Sequence, residues 1–261
     1  MKTGFVQFAP VFGEKYKNFD AVCHLLTACK ADLLVLPELF ATGYAFTSAD
    51  EVKGLAESAD GETAAFARQL SASTGALIVA GFIERENDSF YNASLLVDES
   101  GLITTYRKIH LFNKEKLWFS PGNRPPEPAT ARGVKIGMMI CFDWIFPEIC
   151  RSLALKEADI IAHPANLVLP WAQQAMITRC IENRVFAVTA NRIGREQRGD
   201  DDFSFTGQSR IMGCKGEVLA SAPENEACVM TAEIDPAMAR DKSVNPYNDL
   251  LKDRRSQFYS I

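Results

Sequence analysis

The sequence predicts an α/β protein built as a layered sandwich, and three observations lead to this fold class. Short apolar runs typical of buried strands alternate with segments whose apolar residues recur at helical spacing. Pairs of strands separated only by a turn interrupt this alternation, so a purely parallel sheet of the Rossmann type fits poorly. No repeat, low-complexity segment or long linker divides the chain, and residues 1–261 are expected to form one domain.

The first half of the chain opens with an apolar strand at residues 4–9. A helix is predicted next, because Val22, Leu25, Leu26 and Cys29 fall at i, i+3, i+4 and i+7, which is one helical face. The elements that follow are a strand ended by a proline, a helix and three strands, at residues 33–36, 62–73, 76–83, 91–97 and 102–106.

The second half begins with a proline-rich surface loop at residues 121–128, too short to be a domain boundary. The most apolar strand, residues 134–140, stops at Cys141. A helix is predicted to begin at Pro147, since proline suits a first helical turn. The remaining elements are a strand, a helix and four strands, at residues 159–162, 173–183, 184–190, 208–212, 217–220 and 228–234.

Composition limits the classes of function. With 47% hydrophobic and 23% charged residues, the 261-residue chain can bury a sizeable core. The net charge of −5 is modest and both signs are interspersed, so no nucleic-acid or membrane partner is expected, whereas a small neutral substrate fits. The N-terminal apolar run is short for a signal peptide, and no run approaches the roughly 20 apolar residues of a membrane span. A cytoplasmic location is therefore expected.

The cysteines argue against a disulfide framework and against a metal site. They form an odd, scattered set without a Cys-x-x-Cys pair. The seven positions are Cys23, Cys29, Cys141, Cys150, Cys180, Cys214 and Cys228. We expect most of them to be reduced and buried, and no metal to be bound.

Cys141 is the cysteine best placed for chemistry, because it lies between a buried strand and a predicted helix. The positive end of a helix and its free N–H groups would favour the thiolate. Free cysteine is also among the most buried residue types, so a structural role is the alternative. Position alone does not decide between the two.

Two charged residues also follow strands. Glu38 comes after the apolar run at residues 33–36, where desolvation would suit its carboxylate to work as a general base. Lys108 ends the strand at residues 102–106. A solvated carboxylate and a solvated ammonium are the ordinary alternatives for these positions.

A cysteine–histidine hydrolase stays open from the residues alone. The histidines are His24, His110 and His163, and His110 or His163 would have to serve as the base for Cys141. Sequence motifs of zinc proteases, P-loop proteins, dinucleotide binders and serine hydrolases are absent. Trp118, Trp144 and Trp171 could line a pocket or simply pack.

Three segments together resemble the nitrilase superfamily of carbon–nitrogen hydrolases. Residues 34–40 read LVLPELF, residues 106–112 read YRKIHLF, and residues 139–148 read MICFDWIFPE. Their order and spacing match the family as well. The resemblance covers nearly the whole chain, because residues 5–10 look like the family's first strand and residues 158–166 like the strand and loop after the nucleophile.

This resemblance implies roles for four residues. Cys141 would be the nucleophile, Glu38 the general base and Lys108 the cation that stabilises the tetrahedral oxyanion, with help from the backbone N–H of Phe142. Glu115 best fits the family's second glutamate, although in a charged run it could equally be a surface residue. Phe142, Trp144 and Asn166 are expected to shape the substrate pocket, and packing is the alternative for Trp144 and Asn166.

The resemblance further implies a four-layer αββα sandwich, a homodimer or higher homo-oligomer, and no cofactor. Residues 141–146 lack the arginine pair that clamps a carboxylate in the carbamoyl-D-amino-acid branch. The implied reaction is hydrolysis of a small aliphatic nitrile or amide through a covalent thioester or thioimidate, with release of ammonia. A catalytically silent scaffold of the same fold is the alternative from another class.

Overall fold

In the computed structural model, which describes residues 1–259, two six-stranded sheets lie face to face. The strands, numbered along the chain, are β1 (Lys2–Gln7), β2 (Leu33–Val35), β3 (Leu77–Glu86), β4 (Ser89–Asp98), β5 (Gly101–Arg107), β6 (Ala129–Ala131), β7 (Val134–Met138), β8 (Ile160–Pro164), β9 (Phe186–Ala190), β10 (Arg195–Arg198), β11 (Asp201–Ser204), β12 (Arg210–Met212), β13 (Val218–Ser221), β14 (Cys228–Glu233), β15 (Ser243–Asn245) and β16 (Asn248–Asp249). The helices are α1 (Lys15–Leu26), α2 (Ala49–Leu55), α3 (Glu62–Thr74), α4 (Glu115–Trp118), α5 (Pro147–Leu155) and α6 (Ala172–Asn183). Short 3-10 helices cover Cys141–Ile145, Pro236–Ala239 and Ser256–Phe258.

Both sheets follow one plan. The first has the order β14-β1-β2-β3-β4-β5 and the second the order β13-β12-β9-β8-β7-β6. In each, three neighbouring strands are parallel, β1-β2-β3 and β7-β8-β9, and antiparallel strands flank them. The predicted mixture of crossovers and hairpins is therefore confirmed. Two small hairpins, β10–β11 and β15–β16, lie outside the large sheets.

Strand alternation produces the layers. Leu33 and Leu77 pack in the cluster shared with the second sheet, whereas Leu34 and Ile78 pack in the cluster that contains α1 and α3. Successive side chains of a strand point to opposite faces, so these runs are apolar on both sides. The result is the expected four-layer αββα sandwich.

The outer face of the second sheet is covered by α5 and α6. A side chain at Gly137 of β7 would lie 2.9 Å from Leu153 of α5, so the glycine lets the helix approach the strand closely. α5 begins at Pro147, as predicted. None of the helices in the described part of the chain is long and apolar enough to cross a bilayer.

The structure differs from the sequence-based expectation mainly in short elements. α2, α4, β6 and the two small hairpins were not predicted, because elements this short carry little periodicity. α1 ends at Leu26, so Cys29 lies beyond the helix in which its spacing placed it. The Cys29 N–H donates instead to the Leu26 carbonyl at 2.9 Å, which forms a tight turn towards β2.

The parallel strands bring their carboxyl ends to one region of the molecule. Glu38 follows β2, Cys141 follows β7 and Asn166 follows β8. Lys108 follows β5 in the first sheet. In open α/β sheets the carboxyl ends of strands are the usual place for a site, and the residues singled out from the sequence lie there.

Candidate active site

Four ionisable side chains of this region are almost completely buried. Glu38 and Lys108 have no exposed surface, and Glu115 and Cys141 are only 4% and 5% exposed. A lysine and two glutamates buried together are unusual, because an unpaired charge away from water is very costly. Their pairing accounts for their burial.

Lys108 connects the two carboxylates. Its Nζ donates to Glu38 Oε1 and to Glu115 Oε1, both at 2.7 Å. Burial alone would lower the pKa of the Lys108 ammonium, but the negative charges of Glu115 and Glu38 outweigh burial and raise it. An ammonium has three donors, and the two bonds that Lys108 makes within residues 1–259 leave one for a ligand.

Glu115 begins α4 and turns inward. Its Oε1 also accepts from the Tyr44 hydroxyl at 2.8 Å, and its Oε2 accepts from the Phe112 N–H at 3.1 Å. Asn113 has a positive φ of 49°, which reverses the chain between Phe112 and α4. The segment after Lys108 therefore folds back on Lys108, so Glu115 lies inside the protein. Burial raises the pKa of Glu115, whereas the Lys108 charge acts in the opposite direction.

Glu38 is held by one oxygen only. Oε1 accepts from Asn92 Nδ2 at 2.7 Å as well as from Lys108, whereas Oε2 has no hydrogen-bond partner among residues 1–259. A side chain at Gly81 would lie 2.6 Å from Glu38 Cα, so only glycine lets β3 pass this closely. Oε2 is thus a buried, unused acceptor beside the other site residues.

Cys141 lies in a strained turn. Its φ is +42°, in the left-handed region, which costs a residue with a side chain about 1–3 kcal/mol. The turn joins β7 to the 3-10 helix Cys141–Ile145. His163 Nε2 donates to the Cys141 carbonyl at 3.0 Å, and Asp143 Oδ2 accepts from the Ile140 N–H at 2.9 Å. These bonds hold the strained backbone in place.

The expectation that the setting of Cys141 favours the thiolate is wrong for the resting protein. Burial, followed by the charge of Glu38, raises the pKa of Cys141 well above its ordinary value. Lys108 and the backbone N–H of Asn166 act in the opposite direction but do not prevail. A helix dipole acts only near its own first turn, and α5 does not begin until Pro147.

The two candidate histidines are engaged with groups other than the thiol. His163 Nε2 binds the Cys141 carbonyl and Nδ1 lies 3.0 Å from the Thr189 hydroxyl. A carbonyl only accepts, so Nε2 carries the proton, and burial lowers the pKa of His163 and keeps the ring neutral. His110 Nδ1 lies 2.8 Å from Asp143 Oδ1. These contacts favour a carboxylate over an imidazole as the base.

Asp143 is a buried site residue that sequence reasoning missed. It accepts from the Tyr106 hydroxyl at 2.7 Å and from the Ile140 N–H, and its Oδ1 also accepts from the His110 N–H at 3.1 Å. It therefore ties the segment of Lys108 to the turn of Cys141. An acidic residue inside the apolar run at residues 138–146 was the available signal.

Two further residues were missed. Asn92 is a fully buried polar residue inside β4, and a polar residue within an apolar strand could have identified it. Tyr44 follows the Glu38 motif in a loop, and we find no local signal for its contact with Glu115.

The three residues expected to shape the pocket have different environments. Phe142 is half-buried and lines a surface groove of about 370 Å³ together with Leu111 and Phe146. Trp144 is buried in the apolar core around the second sheet. Asn166 is 2% exposed, and neither its Oδ1 nor its Nδ2 has a partner within the described residues.

A larger cavity of about 670 Å³ is lined by Lys135, Asp159 and Arg240. Lys135 lies near the start of β7, at the opposite end from Cys141, so this cavity does not belong to the cluster around Lys108. No group of three or more His, Cys, Asp or Glu side chains in residues 1–259 could hold a metal ion.

Comparison with known proteins identifies the family of the chain. The family model described as carbon-nitrogen hydrolase matches residues 2–242. A protein named nitrilase from Pyrococcus abyssi (strain GE5 / Orsay) is 46% identical over 99% of both chains. An (R)-stereoselective amidase from Pseudomonas sp is 33% identical over 98% of this chain and 92% of its own. The crystal structure of a carbon-nitrogen hydrolase from Helicobacter pylori G27 has a TM-score of 0.89 at 26% identity, covering 99% of this chain and 97% of that one.

The chain belongs to the carbon–nitrogen hydrolase family and is an enzyme of that class. The resemblance seen in the three sequence segments is thereby confirmed.

Proposed function

We propose that the protein hydrolyses a carbon–nitrogen bond in a small, neutral aliphatic amide or nitrile, with Cys141 as the nucleophile. The observation that carries the proposal is the Lys108 ammonium, which is bound to Glu38 and Glu115 and, within residues 1–259, has one donor left without a partner. A buried cation with a free donor can stabilise an oxyanion without first having to reorganise.

The first half of the reaction follows from the geometry of Glu38. Because the Cys141 thiol is protonated at rest, attack requires a base, and the unpartnered Glu38 Oε2 can take that proton. The sulfur forms a bond to the amide carbon, and the oxygen that becomes negative accepts from Lys108 and from the backbone N–H of Phe142. Glu38 then returns the proton to the nitrogen, and ammonia leaves from a thioester.

The second half uses the same groups with water. Glu38 takes a proton from a water molecule, which attacks the thioester carbon. The carboxylic acid leaves and the proton returns to the Cys141 sulfur. A nitrile would first give a thioimidate, which water converts to the same thioester with loss of ammonia.

The charges of the site support a neutral substrate. Lys108, Glu38 and Glu115 carry a net charge of −1 when all three are ionised, and this charge would repel a carboxylate next to the reacting carbon. Among the described residues, Asn166 has an amide NH2 group and a carbonyl oxygen without partners, which complement an amide group. We propose that Asn166 and Phe142 contact the substrate.

A substrate panel tests this function. Aliphatic nitriles, primary amides and carbamoyl compounds should be offered to the purified protein, with released ammonia as the readout. We expect turnover of at least one neutral amide or nitrile, and slower turnover of analogues with an α-carboxylate. Absence of ammonia from every compound, together with no selective alkylation of Cys141 by dilute iodoacetamide, would instead favour a catalytically silent scaffold.

Glu115→Gln is expected to reduce turnover about 10²- to 10³-fold with little change in the thermal midpoint. Glutamine keeps the shape of the side chain but removes the charge that holds Lys108, so the oxyanion partner is misplaced. Lys114→Gln is the matched control, because Lys114 pairs with Asp201 near the surface and is 40% exposed. Equal, near-normal rates for both variants would show that Glu115 is not needed for catalysis.

We also propose that the chain forms a homodimer or a higher homo-oligomer, as its family resemblance implies. Ile145, Leu155 and Ile181 are apolar side chains, each 39–49% exposed, in the helical layer over the second sheet, where a second copy could cover them. Light scattering after size exclusion should give at least twice the mass of one chain, and a monomer at micromolar concentration would contradict the proposal.

The cytoplasmic location stays a prediction.

A further inference from the structure

Tyr44 touches the candidate active site although no role for it follows from the sequence. It is 7% exposed, and its hydroxyl donates to Glu115 Oε1 at 2.8 Å. Lys108 donates to the same oxygen at 2.7 Å. The phenol and the ammonium therefore both hold the same oxygen of Glu115.

We infer that Tyr44 is a positioning residue, whose hydroxyl holds the Glu115 carboxylate against Lys108, and that a buried Arg192–Glu196 ion pair holds Tyr44. The inference rests on the proposed function, because it assigns Tyr44 to the same oxyanion site. It concerns the support of Lys108 and not the identity of the substrate.

The backbone of Tyr44 is fixed by Glu196 of β10. Glu196 Oε2 accepts the N–H groups of Tyr44 at 3.0 Å and of Ala45 at 2.8 Å. A side chain on Gly43, whose φ is +82°, would lie 2.9 Å from Glu196 Oε1. The glycine before Tyr44 thus permits the close approach of the carboxylate to this loop.

Arg192 in turn holds Glu196. Its Nη1 donates to Glu196 Oε1 at 2.5 Å, and its guanidinium lies 4.0 Å from the centre of the Phe205 ring. Arg192 is only 1% exposed. Breaking a buried pair by removing one partner is costly, so this pair gives the loop a rigid support. Phe205 also contacts the Tyr44 ring, with 6.1 Å between centroids.

The charges around Glu115 give the hydroxyl a chemical role beyond packing. The groups that act on Glu115 or share its surroundings are Lys108, Glu38, Cys141, Tyr44 and, near the surface, the Lys114–Asp201 pair. Burial raises the pKa of Tyr44 well above its ordinary value, so the phenol stays protonated and donates. A donor to a carboxylate favours its charged form. Without the hydroxyl, Glu115 would bind a proton more readily and attract Lys108 less.

Tyr44→Phe tests the inference, because it removes the hydroxyl and keeps the ring. We expect kcat to fall roughly 10- to 100-fold, as for loss of a hydrogen bond to a charged group, with a smaller change in KM. The acidic limb of the kcat–pH profile should move to higher pH, because Glu115 loses a donor that favours its ionised form. Tyr16→Phe is the matched control, since the exposed Tyr16 hydroxyl also donates to a glutamate, Glu62 Oε1, at 2.8 Å.

A double-mutant cycle separates positioning from a general loss of structure. In a Glu115→Gln background, Tyr44→Phe should reduce kcat less than about threefold, because the carboxylate on which the Tyr44 hydroxyl acts is gone. Equal costs in both backgrounds, or an unshifted acidic limb, would overturn the inference. If the wild type releases ammonia and Tyr44→Phe has the same kcat, only this inference is refuted. If the wild type is inactive on every compound, the proposed function is refuted.

The support from β10 has its own test. Glu196→Gln removes the charge that pairs with Arg192, and we expect kcat to fall several-fold, with a smaller additional cost of Tyr44→Phe in that background. Glu51→Gln is the control, because Glu51 of α2 pairs at 2.7 Å with Arg198 of the same hairpin at a half-buried position and does not contact the Tyr44 N–H. The Arg192–Glu196 pair does not hold Tyr44 if the two glutamine variants have the same kcat and Tyr44→Phe lowers kcat by the same factor in both of them as in the wild type.

Discussion

Replacing Cys141 with alanine is expected to reduce turnover on the order of 10⁶-fold, the scale seen when a covalent nucleophile is removed. The physical reason is that neither Glu38 nor Lys108 can form the thioester. Cys150→Ala is the matched control, because Cys150 is equally buried but lies in α5, packed in the apolar core. We expect Cys150→Ala to lower the thermal midpoint and to leave kcat nearly unchanged.

The covalent intermediate can be observed directly. Intact mass spectrometry of the wild-type protein during turnover should show an acyl adduct, because the proposed reaction passes through a thioester on Cys141. Peptide mapping should place the adduct on Cys141. Near-normal turnover by Cys141→Ala, or an adduct on another cysteine, would rule out the assigned nucleophile.

Glu38→Gln is expected to reduce kcat by about two to four orders of magnitude, the usual contribution of general acid–base catalysis. Glutamine can still accept from Lys108 and Asn92 but cannot take the thiol proton. Glu57→Gln is the matched control, since Glu57 is a buried glutamate that pairs with Lys15, outside the cluster around Lys108. Glu57→Gln should change stability and not kcat.

The histidine variants complete this experiment. His110→Ala and His163→Ala should keep measurable turnover, because their rings bind Asp143 and the Cys141 carbonyl and not the thiol. The opposite pattern, with Glu38→Gln active and one histidine variant inactive, would identify a cysteine–histidine hydrolase.

Much of the fold followed from local patterns. The strands at 33–35 and 134–138 and the helix from Pro147 were predictable, because apolar runs, turn residues and helical spacing act over a few neighbouring residues. α4 and the β10–β11 hairpin were not, because short elements depend on contacts with distant segments.

The sequence by itself indicated the family through the resemblance of three short segments. It also indicated the positions of Glu38, Lys108 and Cys141, each of which follows a strand whose apolar pattern is local. Only the tertiary structure decided how these groups are charged and held. Glu115 lies buried against Lys108 and against Tyr44, which is 71 positions away in the chain. Burial and the charge of Glu38 outweigh Lys108 and raise the pKa of Cys141. Desolvation and Coulomb interactions depend on distance in space, and separation along the chain does not determine that distance.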